Sequence, residues 1–424
     1  MRTSIDWDKP NILYINRECI PLDDALQTDK LRSKIEPWLS AIFQSEHLSL
    51  LVGNGLAIAT AEIAELPPPT LNRIKFETFG SQISGWSDVQ AEKMGRGIAN
   101  FEDDLRSALE LLNGLRIQND VENAISLEEE INTQLVTFIN QILETENKFI
   151  NIDEVRKQEA IGYLKSFLVS FASRAATRDR LHIFTTNYDR FIEYGCDLAG
   201  IIIFDRFIGK IHPVFRSTKI EFDCHYNPPG IRGEPRYVEG VVRFTKLHGS
   251  IDWLFYDGMI IRDLLPFGAD GKATGIVKNQ AVIYPNSAKG IDTAYYPYSE
   301  LFRDFSSAVC RPNSTLVIYG YSFGDSHINT ILEDMLTIPS THMVIIAYGD
   351  EANRIKRFVE RNNAAQFTLL IGNHFGDLRT LSDNYLPKAA IDRITEKKQK
   401  ILERRGFDYS KLSKEGNTEF TDGE

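Results

Sequence analysis

Cysteine is scarce in this chain, and the cysteines that it has are far apart. The 424 residues include four cysteines, and no two of them form a Cys-x-x-Cys pair. Paired cysteines at that spacing build structural zinc sites, so we expect no zinc module. The same scarcity argues against a disulfide framework, as in proteins of a reducing compartment.

Long apolar runs and an excess of positive charge are also missing. No stretch approaches the roughly 18 apolar residues that a membrane span requires, and residues 1–8 hold no signal-peptide core. We therefore expect a cytoplasmic protein without a membrane partner. The formal net charge is −11, so electrostatics gives no reason to expect direct binding of nucleic acid.

The length and the 42% content of hydrophobic residues are sufficient for a large core. We predict an N-terminal helical segment over residues 1–45, an α/β domain over residues 46–387, and a polar C-terminal helix and tail over residues 388–424. Within the α/β domain, apolar residues recur at spacings of three and four over residues 67–178. This spacing predicts a largely helical insertion.

Short apolar runs alternate with helical segments in the rest of the chain. The runs that resemble strands cover residues 48–52, 181–184, 241–244, 315–319, 343–346 and 367–371. Alternation of this kind predicts an α/β fold with a Rossmann-like, mainly parallel sheet flanked by helices. In such sheets, polar residues just past the carboxyl ends of the strands point into the ligand crevice.

The first of these strand ends carries the loop Gly53, Asn54 and Gly55. Glycines let a backbone turn tightly and approach a pyrophosphate, and the N-terminus of the following helix favours negative charge. The third glycine of the dinucleotide-binding fingerprint is absent, because Ile58 stands in its place. The loop is equally compatible with a simple strand-to-helix turn that binds no ligand.

The second strand end is followed by Asn187 and Asp189. An asparagine amide can hydrogen-bond ribose hydroxyls or hold a water molecule, and a carboxylate can accept a hydrogen bond from a carboxamide. Asparagine and aspartate are also favoured caps of helices. We assign Asn187 a functional role, and for Asp189 both capping and ligand contact stay open.

A histidine, His248, stands at the third strand end, beside Gly249. A neutral imidazole can remove a proton from a hydroxyl group near neutral pH, so His248 is the candidate general base. No second histidine or carboxylate stands at ligand spacing along the sequence, so we expect no metal at this residue.

The loop of residues 320–327 follows another strand-like run and contains Gly320, Ser322 and Asp325. Glycine and hydroxyl groups past a strand suit a phosphate or a ribose. We select Gly320 and Ser322 as binding residues. Asp325 could equally be the cap of the helix that follows.

Five segments, taken together and in this order, resemble the bacterial sirtuin-like domains of anti-phage defence proteins. They are residues 53–55, 100–103, 185–189, 246–253 and 320–325. The resemblance covers roughly residues 45–375. It implies that Asn187 holds the nicotinamide ribose or a water molecule and that His248 is the catalytic base. It further implies contacts with NAD⁺ from Gly53, Asn54, Gly55, Asp189, Gly320 and Ser322.

The departures from the sirtuin pattern bear on the reaction. Ala57 replaces the serine of the first motif, Thr186 replaces a glutamine, and the four-cysteine zinc module of the protein deacetylases is missing. The missing module puts deacetylation in doubt. The resemblance to the defence proteins instead implies an NAD⁺ hydrolase, which cleaves its substrate to nicotinamide and ADP-ribose and depletes NAD⁺ in abortive infection.

Two alternatives to hydrolysis stay open on the sequence. One is ADP-ribosyl transfer to, or deacylation of, a protein; the other is a non-catalytic nucleotide-binding subunit of an assembly. In size the chain resembles standalone sirtuin-like subunits that are paired with a hexameric HerA-type ATPase. This resemblance implies a homo-oligomer and a HerA-type partner.

Overall fold

The structure is a computed structural model that describes most of the chain. The described residues are 5–22, 28–68, 72–94, 97–174, 178–217, 223–226, 236–270, 281–283 and 296–388. Those up to Leu386 belong to one compact unit. The predicted polar C-terminal helix and tail, residues 388–424, lies outside the described residues except for its first residue.

The strands are short, and most residues of the longer ones are buried. In chain order they are β1 (Ile12–Ile15), β2 (Glu18–Cys19), β3 (His47–Val52), β4 (His182–Thr185), β5 (Ile202–Phe204), β6 (Phe207–Ile208), β7 (Val214–Phe215), β8 (His225–Tyr226), β9 (Arg236–Tyr237), β10 (Val241–Lys246), β11 (Gly249–Tyr256), β12 (Met259–Arg262), β13 (Ala281–Ile283), β14 (Ser314–Tyr319), β15 (His342–Ala347) and β16 (Phe367–Ile371).

Nine of these strands form the central sheet, in the order β2-β1-β16-β15-β14-β3-β4-β10-β5. The seven strands from β16 to β5 are parallel, and β1 and β2 form an antiparallel hairpin at one edge. From β3 the chain first builds the sheet towards β4 and β10, and later towards β14, β15 and β16. This order confirms the predicted Rossmann-like α/β fold and places its topological switch point between β3 and β14.

Both faces of the central sheet are covered. Along β3, Leu50 packs into the core on one face and Leu51 into the core on the other, and Val317 and Ile318 of β14 divide in the same way. A parallel strand that is buried on both faces needs apolar residues at successive positions. The continuous apolar runs in the sequence therefore reflect the central position of these strands.

Helices cover the two faces and also form the region between β3 and β4. In chain order they are α1 (Thr28–Ile42), α2 (Gly55–Ile63), α3 (Gly80–Lys93), α4 (Phe101–Ile117), α5 (Val121–Asn151), α6 (Glu154–Ala172), α7 (Phe191–Leu198), α8 (Tyr298–Val309), α9 (Ser326–Leu336), α10 (Arg354–Arg361), α11 (Asn373–Gly376) and α12 (Leu378–Thr380). Within the described ranges, none of these helices has the length and apolar character needed to cross a membrane.

Helices α3, α4 and α5 pack around an apolar core of their own, within the segment predicted to be a helical insertion. Phe101 and Phe138 stack at its centre, with ring centroids 4.5 Å apart. The same core includes Tyr188, which follows β4, and Ile251, which lies on β11. Apolar packing thus fixes the insertion against the carboxyl end of the central sheet.

The predicted N-terminal helical segment, residues 1–45, contains two strands as well as a helix. Helix α1 is present, but it is preceded by β1 and β2, and β1 pairs with β16 at the edge of the central sheet. All four residues of β1 are buried. A four-residue strand leaves little periodicity in a sequence, and its pairing with β16 joins opposite ends of the described chain, so no local pattern predicts it.

A smaller antiparallel sheet, in the order β13-β11-β12-β7-β6, is built from strands that lie both before and after β10 in the chain. Its strand β11 follows β10 after only two intervening residues, Leu247 and His248. Gly249, the first residue of β11, has a φ of +85°. Glycine tolerates this left-handed conformation and so permits the tight turn that leaves His248 between the two sheets.

Candidate active site

Four strand ends stand side by side at one edge of the central sheet. Val52 is the register partner of both Thr185 and Tyr319, and Thr185 is also the partner of Lys246. The last residues of β3, β4, β10 and β14 therefore form one row. The polar segments that follow these strands emerge together at the switch point, where open α/β sheets bind their ligands.

A cavity of about 560 Å³ lies at this edge. Seven of the eight residues selected from the sequence line it, namely Gly53, Asn54, Asn187, Asp189, His248, Gly320 and Ser322. Gly55, the eighth, is not part of the lining. Ligand pockets for small molecules and cofactors have volumes of about 300–1,000 Å³, so the cavity suits a ligand of dinucleotide size.

The two glycines of the first loop pack against the last loop. A Cβ atom at Gly53 would stand 2.4 Å from the carbonyl oxygen of Gly320, and one at Gly55 would stand 2.5 Å from the Cα of Gly320. The backbone N–H of Gly55 donates to the Gly320 carbonyl at 3.0 Å. The structure thus gives Gly55 a packing role, because it allows the loops after β3 and β14 to touch.

Asn187 is buried, with 6% of its surface exposed, and its backbone is fixed by the strands beside it. Its N–H donates to the hydroxyl oxygen of Thr185 at 3.1 Å, and that hydroxyl donates to the carbonyl of Val52 at 2.9 Å. The side-chain Oδ1 has no hydrogen-bond partner among the described residues. Since a buried acceptor without a partner is costly, this oxygen is suited to a ligand hydroxyl or a water molecule in the cavity.

His248 lines the same cavity from the turn between β10 and β11, and only 3% of its surface is exposed. The ring of Tyr188 lies beside it, with centroids 6.0 Å apart. Its Nε2 stands 3.9 Å from Oδ2 of Asp325, and the ring of His327 lies 5.8 Å away. Spacing along the chain predicted no metal at His248, but in the fold a second histidine and a carboxylate approach it.

Asp189 bonds the start of α7, although the N-cap residue of this helix is Arg190. Asp189 Oδ1 accepts a hydrogen bond from the N–H of Phe191, the first residue of α7, at 3.2 Å. Desolvation raises the pKa of Asp189 to about 6, against the lowering effect of nearby Lys246. The carboxylate therefore stabilises the start of α7 and also lines the cavity.

The buried side chain of Lys246 holds the turn that carries Asn187 and Asp189. Its ammonium group donates to the carbonyl oxygens of Tyr188, at 3.3 Å, and of Asp189, and it forms an ion pair with Glu193 at 2.9 Å. A charged group this deeply buried is stable only when it is paired and hydrogen-bonded. Lys246 thus links the ends of β4 and β10 to α7.

The helical insertion supplies one wall of the cavity, and the sequence did not predict this. Phe138, Gln141 and Ile142 of α5 line it, together with Glu102 near the start of α4. The carboxylate of Glu102 accepts a hydrogen bond from the Tyr188 hydroxyl at 3.0 Å. In the sequence, Glu102 is part of the segment of residues 100–103, one of the five that resemble sirtuin-like domains. Its contact with the turn after β4 depends on the fold, and the sequence alone does not predict it.

Two charged residues after β15, Glu351 and Arg354, also line the cavity and were missed. Arg354 is the first residue of α10, at the same edge of the sheet as the other loops. The sequence does contain the signal, because a polar segment follows the apolar run of residues 343–346. Arg354 brings a positive charge to a cavity whose other ionised side chains are mainly carboxylates.

Part of the chain matches a known protein family. Residues 181–366 match a family model described as a SIR2-like domain, and this supports a SIR2-like domain in this part of the chain. A search of curated proteins finds no match. The matched segment starts at β4, and it contains Asn187, His248 and the loop with Gly320 and Ser322. It is consistent with NAD⁺-dependent activity in general.

Proposed function

We propose that this SIR2-like domain hydrolyses NAD⁺ at the bond between nicotinamide and ribose, giving nicotinamide and ADP-ribose. One observation carries the proposal. The amide oxygen of Asn187, buried and without a hydrogen-bond partner among the described residues, and the imidazole of His248 line the same cavity at the switch point of the sheet. Doubly wound sheets bind dinucleotides at this place.

The residues of the cavity fit the parts of a dinucleotide. Helix α2 starts at Gly55, the residue after Gly53 and Asn54, which line the cavity. The N-terminus of a helix favours negative charge, such as that of a pyrophosphate. Arg354 adds a positive charge to the lining. The hydroxyl groups of a ribose can donate hydrogen bonds, and Asn187 Oδ1 is a buried acceptor that has no donor among the described residues.

Cleavage of the glycosidic bond passes through a transition state that resembles an oxocarbenium ion on the ribose. In the proposed reaction, Asn187 holds a ribose hydroxyl or the attacking water molecule by its amide oxygen. His248 accepts the proton that this hydroxyl or water releases, since a neutral imidazole is a base near neutral pH. Nicotinamide leaves as a neutral molecule, and water supplies the new oxygen on the ribose.

The surroundings of His248 support water as the acceptor. The side chain is almost fully buried, and Phe138 and Ile142 of the helical insertion contribute a wall of the same cavity. A water molecule can enter such a site more readily than the side chain of a folded protein. Protein deacylation and ADP-ribosyl transfer are the competing reactions, and mass spectrometry of candidate substrate proteins incubated with NAD⁺ distinguishes them from hydrolysis.

The direct test is chromatographic detection of nicotinamide and ADP-ribose after incubation of the purified full chain with NAD⁺. We expect His248→Ala and Asn187→Ala each to lower turnover by at least about 100-fold, the usual contribution of a positioned acid–base group. His212→Ala is the matched control, because His212 is exposed and remote in sequence from the strand ends. Wild-type turnover in both site variants would falsify the assignment.

The resemblance to defence proteins suggests the setting of this reaction. We infer that the enzyme depletes NAD⁺ during phage infection and works in an assembly with a HerA-type ATPase. Continuous NAD⁺ hydrolysis would harm the cell, so the isolated chain is expected to be weakly active and to be stimulated by its partner. An NAD⁺ consumption assay with and without the product of the neighbouring gene tests this, and full activity of a purified monomer contradicts it.

A further inference from the structure

Three side chains that commonly bind metals meet beside the cavity: His248, Asp325 and His327. Each offers one ligand atom, and these three atoms all lie within 4.8 Å of one another. The distance from His248 Nε2 to Asp325 Oδ2 is 3.9 Å. One histidine comes from the turn after β10, and the other two residues come from the start of α9, so only the fold brings them together.

The packing around the cluster holds both imidazole rings. The ring of Phe302 on α8 lies 4.7 Å from that of His327, and the ring of Tyr188 lies 6.0 Å from that of His248. His248 is buried, and the Asp325 side chain is only 14% exposed. Side chains fixed in this way lose little conformational freedom when they bind an ion, and preorganisation of that kind favours affinity.

We propose that His248, Asp325 and His327 bind one divalent transition-metal ion of the zinc type. Two imidazoles and one carboxylate are the three protein ligands of a common class of zinc site, in which the fourth position is open to water or a ligand. Imidazole nitrogens favour zinc over magnesium, which prefers oxygen ligands. The carboxylate of Asp325 supplies a negative charge that offsets part of the charge of the ion.

The geometry requires only a small adjustment. Ligand atoms about 2.0–2.1 Å from a tetrahedral zinc ion lie about 3.4 Å apart. The distance of 3.9 Å between His248 Nε2 and Asp325 Oδ2 is close to this value. No two of the three ligand atoms are more than 4.8 Å apart. To bind zinc, the most distant pair must therefore approach by about 1.4 Å at most. Side-chain rotation about the Cα–Cβ and Cβ–Cγ bonds accomplishes movements of this size.

Metal binding has a consequence for the reaction, and this part rests on the proposed function. A metal ion on His248 occupies the nitrogen lone pair that would accept the proton of the ribose hydroxyl or water. The ion and the base function therefore exclude each other, and zinc inhibits NAD⁺ cleavage. The binding of the ion itself does not depend on the identity of the reaction.

Calorimetric titration of the chelator-treated full chain with Zn²⁺ tests the site directly. We expect one ion per chain in the wild type, and an affinity at least about 10-fold weaker in His327→Gln and in Asp325→Asn. His212→Gln, at an exposed histidine, is the control and keeps the wild-type affinity. Unchanged affinity in both cluster variants overturns the proposal.

A second measurement needs no variant, so a misfolded mutant does not block the test. The visible spectrum of the wild-type chain loaded with Co²⁺ reports the ligand atoms. Bands of a tetrahedral site with nitrogen and oxygen ligands support the cluster. Intense thiolate charge-transfer bands, or a spectrum no different from that of aqueous Co²⁺, overturn it. The described cysteines Cys19, Cys196, Cys224 and Cys310 are free and are the competing ligands.

Inhibition is then tested by titrating Zn²⁺ into the NAD⁺ cleavage assay. His327→Gln is the informative variant, because His327 has no part in the proposed cleavage. It is expected to keep the basal rate and to need at least about 10-fold more Zn²⁺ for half inhibition. Zn²⁺ that binds without inhibiting, or that stimulates, overturns the inhibitory role. If the chain shows no NAD⁺ cleavage, the proposed function fails and the titration still decides the metal site.

Discussion

A carboxylate on the helical insertion, Glu146, is expected to be essential for the stability of the turn that carries the site. Glu146 is fully buried on α5, and it accepts hydrogen bonds from the backbone N–H of Arg190 at 3.0 Å and from its guanidinium at 2.5 Å. Arg190 follows Asp189 directly, and its guanidinium also donates to the carbonyls of Leu265 and Pro266. The pair therefore joins α5, the turn after β4 and the segment after β12.

The effect of Glu146→Gln follows from the burial of both partners. Glutamine has nearly the same shape but no charge, so the guanidinium of Arg190 stays buried without its counterion. Removal of one partner of a buried ion pair costs about 3–5 kcal/mol. Arg190 keeps its bonds to the two backbone carbonyls, and the glutamine oxygen still accepts one hydrogen bond. We therefore expect a loss near the lower end, about 3 kcal/mol.

Urea denaturation at neutral pH measures this change in the free energy of unfolding. Glu144→Gln is the matched control, because Glu144 lies two residues away on the same helix and its side chain is 62% exposed. Its ion pair with Lys148 is a surface pair, so its loss should cost less than about 0.5 kcal/mol. If Glu146→Gln is as stable as Glu144→Gln, the reasoning about the buried pair is refuted.

Three further predictions concern the loop after β3 and the turn after β4. Gly53→Ala should destabilise the fold, because the added Cβ would collide with the backbone of Gly320. Gly114→Ala is the control on a helix: its Cβ would meet nothing within 4 Å, so it should stabilise the fold by about 0.5–1 kcal/mol. Thermal unfolding compares the two variants, and equal shifts of the melting temperature would contradict the packing of Gly53 against Gly320. Burial raises the pKa of Asp189 to about 6 in the folded protein, above the value of about 3.9 in the unfolded chain. Because the folded protein holds this proton more tightly, the free energy of unfolding of the wild type decreases as the pH rises from about 4 to about 6. The stability of Asp189→Asn relative to the wild type should therefore increase from pH 4 to pH 7 in unfolding experiments, and a difference independent of pH would argue against it. Tyr188→Phe should lower stability by about 1–3 kcal/mol, because it leaves the buried Glu102 carboxylate without the hydroxyl donor, and an unchanged urea midpoint would count against this contact.

Several features of the site are encoded locally. The alternation of apolar runs and helical segments predicts a parallel sheet, and in such a sheet every strand has its carboxyl end at the same edge. Asn187 and His248 each stand two residues past the end of a strand, so both could be assigned to one edge of the sheet without knowledge of the fold. The row formed by Val52, Thr185 and Lys246 explains why this reasoning succeeds, since the strands end in register.

Other features depend on contacts between segments far apart in the sequence. The approach of Asp325 and His327 to His248 depends on the neighbouring positions of the turn after β10 and the start of α9. The contact of Gly55 with Gly320 depends on the pairing of β3 with β14. In both cases, spacing along the chain carries no information about the distance.

What the sequence by itself determined is therefore the type of fold and the polar residues at its strand ends, because strand and helix periodicity are properties of short segments. Only the tertiary structure decided that the helical insertion forms a wall of the cavity and that Glu102 bonds Tyr188. The same holds for β1, which pairs with β16. These contacts arise from side-chain packing and strand pairing between distant segments, and their geometry exists only once the whole sheet and its covering helices are assembled.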